Sequence, residues 1–358
     1  MTDTDRRTVD RAYLELRDDK SSKFYAVIRV AHPDGTESVS FNFGRIGFPR
    51  EWDERVRRVA PGEARDAFDQ LVREKRRKGY RDVTWPTTLA EPGSGADALT
   101  APFEAAMSGL LPGDGPVVIG GVELPSGRRQ KSGISDDPRG EPSLWLTDEP
   151  VRDVGALWAA LVETFPTTGI WPVICDNPDL ADVLSDAGVA SDRRLTEILE
   201  EQWDHGATDE DEADENLAPF TGGFPGLATP TTSRADPGTY GAAARELEGH
   251  LGLVATTRPA DVVAAIGWQG WANYDLVPGE MATVFRSWEE RFGAVLIGLG
   301  FDTLTFGVAR PARNLDEALR IGAEHLAICP DNIWQGVGSV KEYAAELVGA
   351  RTWPFWWD

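Results

Sequence analysis

Residues 41–53 read FNFGRIGFPREWD, and how they fold decides the architecture of the first quarter of the chain. The alternation in SVSFNF just before the first glycine predicts a strand, because every second side chain of a strand shares one face. Upstream, AYLELR (12–17) alternates apolar and polar positions, and KFYAVIRVA (23–31) is dense in β-branched and aromatic residues. HPDGTE (32–37) separates that run from the next as a Pro/Asp/Gly turn. An antiparallel meander is the economical arrangement of these runs. Downstream, EWDERVRRV (51–59) leads to Pro61, a favoured first helical residue. Ala64, Ala67, Phe68, Leu71 and Val72 then recur at helical spacing until Gly79, a good residue just past a helix end. One helix is therefore expected over one face of the sheet.

The chain has 358 residues, 41% of them hydrophobic and 13 of them tryptophan, which is enough apolar material for more than one core. Its two cysteines, Cys175 and Cys329, cannot form a disulfide framework for a chain this long, so a reducing, cytoplasmic setting is expected. The start MTDTDRRTVD lacks the apolar centre of a signal peptide, and no apolar run has the length of a membrane span. The formal net charge of −23 repels nucleic acid over most of the surface. That charge is unevenly placed. Residues 1–85 hold about 19 Lys+Arg against about 16 Asp+Glu, which leaves about 17 against about 43 for the remainder. REKRRKGYR (73–81) concentrates Arg73, Lys75, Arg76, Arg77, Lys78 and Arg81, with Arg45, Arg50, Arg55, Arg57 and Arg58 upstream. Such a patch suits phosphates, although cations also suit the negative end of a helix dipole.

LEL, KFYAVIRV, FGRIG and AFDQLVREKRRKGY, in that order across residues 10–85, resemble the WGR domain of poly(ADP-ribose) polymerases and many bacterial proteins. The domain is named for a Trp-Gly-Arg triplet, which in the polymerases lies near the end of bound DNA. The resemblance implies that Phe43, Gly44 and Arg45 take the triplet's place here. Phenylalanine keeps a flat face for stacking and loses the indole N–H. Glycines 44 and 47 are expected to turn the backbone tightly, and Arg45 offers a planar fork of donors to phosphate. The alternative is a glycine bulge, with Arg45 paired to Asp53 or Glu54.

Pro, Gly, Ala and Ser dominate 86–115, which is expected to be a linker with one short helix in AAMSGLL. A second unit follows over 116–358. LWAALVETFPTTGIWPV, ATTRPADVVAAIGWQG, FRSWEERFGAVLIGLGFDTLTFGVA, AEHLAICPDNIWQG and the terminal FWWD resemble the bacterial domain-of-unknown-function family 4253. That resemblance carries no activity with it. Within this unit, DHGATDEDEADEN and the turn-rich stretch after it predict an acidic, mobile insertion at about 204–240. The expected fold class is α+β in two domains. The first is a small antiparallel sheet plus one helix, and the second a larger mixed α/β or α+β domain.

Chemistry in the second unit has weak candidates only. His325 and Cys329 stand four apart on an expected helix, a spacing that suits an imidazole-activated thiol or a two-ligand metal grip. No third ligand is marked in sequence, so no metal and no cofactor are expected. Arg286, Glu289, Glu290 and Arg291 form a polar cluster that could hold a substrate, or in which Arg286 and Glu290 make an ordinary i,i+4 ion pair. The nucleic-acid set is Phe43, Gly44, Arg45, Arg73, Lys75, Arg76, Arg77 and Lys78. The leading expectation is a non-enzymatic protein that binds a DNA or RNA end, with a C-terminal partner-binding module. Two alternatives stand beside it: an acidic immunity protein that neutralises a basic toxin or nuclease, and an enzyme housed in the C-terminal unit.

Overall fold

The computed structural model describes residues 7–18, 21–32, 34–46, 52–85, 101–134, 141–206, 214–220, 222–231, 235–271 and 273–358. Its internal contacts divide the chain into two compact units, mainly residues 1–98 and mainly 99–358.

In the first unit, β1 (Arg7–Asp18), β2 (Ser21–Ala31) and β3 (Glu37–Arg45) form the expected meander, which β4 (Asp53–Val59) extends before α1 (Pro61–Arg77). The spatial order is β4-β3-β2-β1-β5, with every neighbouring pair antiparallel. The added strand, β5 (Arg81–Val83), sets Val83 opposite Tyr13. At three residues it is too short to carry a periodic signal. Pro61 opens α1, and Gly79, at φ +88°, follows its C-cap. The helix lays Ala64, Phe68, Leu71 and Val72 on Leu14, Tyr25, Val27 and Val39. Burying one such large side chain contributes about 1.5–3 kcal/mol, so this strip is the main source of the unit's stability. On the opposite face Tyr13, Phe24 and Ala26 pack with Ile46, Trp52 and Trp85. The helix-covered face also carries Arg29, which stands opposite Val39 and bridges Asp10 on β1 to Glu37 on β3 (2.6 Å).

The second unit is built on one sheet in the order β13-β12-β11-β9-β10-β8-β7-β6. Its strands are β6 (Gly115–Ile119), β7 (Val122–Gln130), β8 (Leu144–Thr147), β9 (Ile170–Cys175), β10 (His250–Ala255), β11 (Ala294–Leu299), β12 (Thr303–Val308) and β13 (Thr352–Trp356). Only β9 and β11 pair in parallel, so the sheet is mixed. Its helices are α2 (Val154–Thr168), α3 (Leu195–Gly206), α4 (Asp214–Leu217), α5 (Gly238–Arg245), α6 (Val262–Ile266), α7 (Pro278–Phe292), α8 (Leu315–Ile328) and α9 (Val340–Leu347). The stripe Met281, Val284, Phe285, Trp288 and Phe292 of α7 is fully buried. Asn314 caps α8 by accepting from the Glu317 amide (3.0 Å). The terminal strand tucks Trp353, Phe355 and Trp357 inside the unit.

Two segments differ from expectation. AAMSGLL forms no helix: Ala105 donates to Thr257 O (3.0 Å) and Gly109 to Gly169 O (2.9 Å), so this part of the expected linker is tied along the second unit. The approach is so close that a Cβ on Gly169, itself at φ +60°, would strike the Met107 carbonyl. Glycine is thus required there by both conformation and space. The turn-rich stretch after the acidic run is also partly packed. Phe220 and Phe224 stand edge-on to Trp203, and Thr231 Oγ1 donates to Arg310 O (2.6 Å). Residues 207–213, the middle of the acidic run, lie outside the described residues.

Candidate nucleic-acid interface

The meander sets Tyr25 of β2 directly opposite Phe43 of β3. Strand alternation puts Val39, Phe41 and Phe43 on the face that α1 covers. The helix covers Val39 completely, whereas Phe43 at the far end is 39% exposed. Phe41, Phe43 and Tyr25 form a layer of near-parallel rings, with centroids 5.7–6.2 Å apart. Lys75, from the last turn of α1, places Nζ 4.0 Å from the Tyr25 ring centroid and 5.9 Å from that of Tyr80. A cation over an aromatic face is attracted by the ring quadrupole. Partial burial lowers the Lys75 ammonium below its usual range.

The fold therefore joins Phe43 to Lys75 through Tyr25, a residue absent from the sequence-derived site. Its signal was available: counting back across the 32–37 turn pairs position 43 with position 25, but only once the register of the turn is known. Gly44 does not turn the chain. It lies within β3 opposite Phe24, and pairing continues through the Ile46 amide, which donates to Ser22 O (3.0 Å). Arg45 ends β3 opposite Lys23. Its side chain, together with Gly47 and Arg50, lies outside the described residues.

The other cations at the end of the helix are exposed, and two of them are held by carboxylates of their own unit. Arg76 forms a fork on Asp82 (2.9 and 2.8 Å), and Lys78 reaches Glu74 (2.6 Å). Arg73 donates to the Asp69 carbonyl (3.0 Å), and Arg77 has no partner among the described residues. Exposed pairs of this kind are worth little and exchange readily for another anion. Arg58, upstream, is held by Asp34 (2.7 Å).

The candidates in the second unit are separated by the fold. His325 is fully buried among the rings of Trp288, Trp353 and Phe355, and its Nδ1 faces the Tyr343 hydroxyl (3.0 Å). Burial, aided by the Arg291 charge, holds its pKa well below the usual value, so the ring is neutral. Helical spacing would bring Cys329 alongside, but α8 ends at Ile328 and Cys329 has φ −147°. Its thiol donates instead to Trp356 O (3.0 Å), and burial pushes it up to about 12. An inert thiol and a neutral imidazole with different partners do not form an activated pair.

The cluster on α7 is a brace. Arg286 grips Asp261 (2.6 and 2.7 Å), and Glu290 receives Arg258 (3.1 Å), so the i,i+4 pair does not form. Glu289 is fully buried beneath Arg258 (2.8 and 3.0 Å) and the Ala260 amide (2.7 Å). Desolvation pushes its carboxyl up to about 8, against the opposing pull of Arg258. Among the described residues no group of three or more His, Cys, Asp or Glu side chains could hold a metal ion. No helix among them is long and apolar enough to cross a membrane.

Residues 10–85 match the WGR domain, a nucleic-acid-binding module, and residues 250–358 match a domain of unknown function, DUF4253. The second match covers the later part of the unit that begins the β6–β13 sheet at residue 115. No curated protein and no solved structure matches the chain.

Proposed function

We propose that this protein binds the end of a nucleic acid through its N-terminal unit and carries the acidic C-terminal unit there as a partner-binding module. The observation that carries the reading is Phe43. A ring left 39% exposed on a layer of buried aromatics, beside the cation of Lys75, is the arrangement that stacks a base while holding a phosphate. A terminal base pair is the one place on a duplex that offers an open base face. Phosphates next to that end fall to Lys75 and to Arg73, Arg76, Arg77 and Lys78, which the last two turns of α1 present together. Arg45 takes the terminal phosphate by its place in the triplet. The net charge of −23 opposes spreading along the duplex interior and favours a short, end-sized contact.

A salt-titrated binding assay of the full chain tests this, with a short linear duplex set against a closed circle of the same sequence. The linear form is expected to bind and the circle to fail. Phe43→Ala should weaken binding about 5- to 100-fold, the worth of one stacked base. Arg77→Ala should reduce the salt slope by about one. Equal binding of the circle would remove the end-binding reading, and no binding at low salt would remove nucleic acid altogether.

A further inference from the structure

A cleft of about 420 Å³ opens in the N-terminal unit between α1 and the β1–β5 edge, two strands across the sheet from β3 and Phe43. Its volume is within the range of small-ligand sites. Phe68 and Val72 of α1 form an apolar wall, and Trp85 forms a second, half-buried one. The indole is held by Trp52, stacked at 6.1 Å, and by Tyr13, edge-on at 6.2 Å. Over the Trp85 ring lies the guanidinium of Arg11, 5.3 Å from the centroid. The lining also includes Arg76, forked on Asp82, and the carboxylate of Asp69.

We propose that this cleft receives an unpaired nucleotide, so that the preferred ligand is a nucleic-acid end with a single-stranded overhang rather than a blunt one. The inference rests on the end-binding reading above and extends it to a second contact. A nucleotide combines a flat π face, an edge of donors and acceptors, and one phosphate charge. The cleft matches these with an indole and apolar walls, with the carboxylates of Asp69 and Asp82, and with two guanidiniums. A purely apolar guest would pair with none of the four charged groups that line the cleft, and a free phosphate would leave the indole unused. Arg11 marks the place, because a planar cation already lies on the indole face and can stack on a base from its other side. Arg76 follows Lys75 directly in α1, so the helix carrying the phosphate-binding cations joins the two contacts. A strand whose last paired base rests on Phe43 and whose backbone follows the helix end would deliver its next nucleotide toward this edge.

The experiment titrates the full chain with a blunt duplex and with the same duplex extended by a short 3′ or a short 5′ overhang. One overhang polarity is expected to bind about five- to tenfold tighter than the blunt form. Arg11→Ala should abolish that gain and leave blunt-end affinity within about twofold. Asp69→Asn, which removes a charge repelling phosphate, should increase the gain. Opposite effects from two exposed positions cannot arise from misfolding. Equal affinity for blunt and overhanging ends, with Arg11→Ala altering both alike, would overturn the cleft assignment and leave end binding standing. If neither duplex binds, both fall.

Discussion

Both units of this chain gather aromatic rings and ion pairs, and they use them in opposite ways. In the second unit eight tryptophans are less than 2% exposed, and Arg291 meets Glu324 where the two side chains are 6% and 0% exposed. In the first, the ring layer opens outward at Phe43, and the pairs on α1, such as Arg76 with Asp82, are about half exposed. Arg29 is the exception there, sealed against Glu37 on the same face of the sheet as the helix. The difference teaches how to weigh charged and aromatic residues. Where they are buried and mutually satisfied they hold architecture, and where they are exposed and loosely held they remain available to a ligand.

The contrast breaks most directly at Glu324. Its carboxylate accepts two bonds from Arg291 (2.6 and 2.7 Å) and one from Trp288 Nε1 (2.8 Å). Glu324→Gln leaves the guanidinium buried without a counter-charge, which costs about 3–5 kcal/mol. Urea unfolding should show that loss in the second unit while nucleic-acid affinity stays unchanged. The double replacement Arg291→Met with Glu324→Leu should recover much of it, because no lone charge remains. A loss below about 1 kcal/mol from the single change would place this pair with the exposed ones.

Much of this division was legible in sequence, and its gaps have physical causes. Alternation and helical spacing placed β1 to β3 and α1, because each depends only on neighbours along the chain. Tyr25 was missed because a cross-strand partner depends on turn register. Glu289 was grouped with a substrate-holding polar cluster because sequence does not show that it is buried, and a carboxylate is expensive to bury. Its burial is tolerated only because Arg258, 31 positions earlier, comes to meet it. Cys329 was grouped with His325 on the premise that the helix runs on, but the helix ends one residue too soon.

His325 sharpens the contrast through pH. Its folded pKa is depressed by burial and by Arg291, whereas the unfolded ring titrates near 6.5. The stability this group contributes is therefore complete above pH 6.5. It is lost as pH falls from there toward the folded value, since the unfolded state binds the proton first. The slope from one such group is about 1.4 kcal/mol per pH unit. His325→Gln should remove that component from the acid limb of second-unit stability, measured as the difference between the two proteins. Identical acid limbs would mean that the ring is not sealed from protons.

The smallest effect tests the open side of the comparison. Asp82→Asn releases Arg76 from a fork whose two side chains are about half exposed. First-unit stability should change by only about 0.2–1 kcal/mol, because water and salt already screen most of the pair's attraction. Nucleic-acid affinity should nonetheless rise and its salt slope steepen, since Arg76 then meets phosphate without first giving up a carboxylate and the local repulsion drops by one charge. A stability loss with no gain in affinity would show that this fork is architecture as well, and the line between the two units would have to be drawn closer to Phe43.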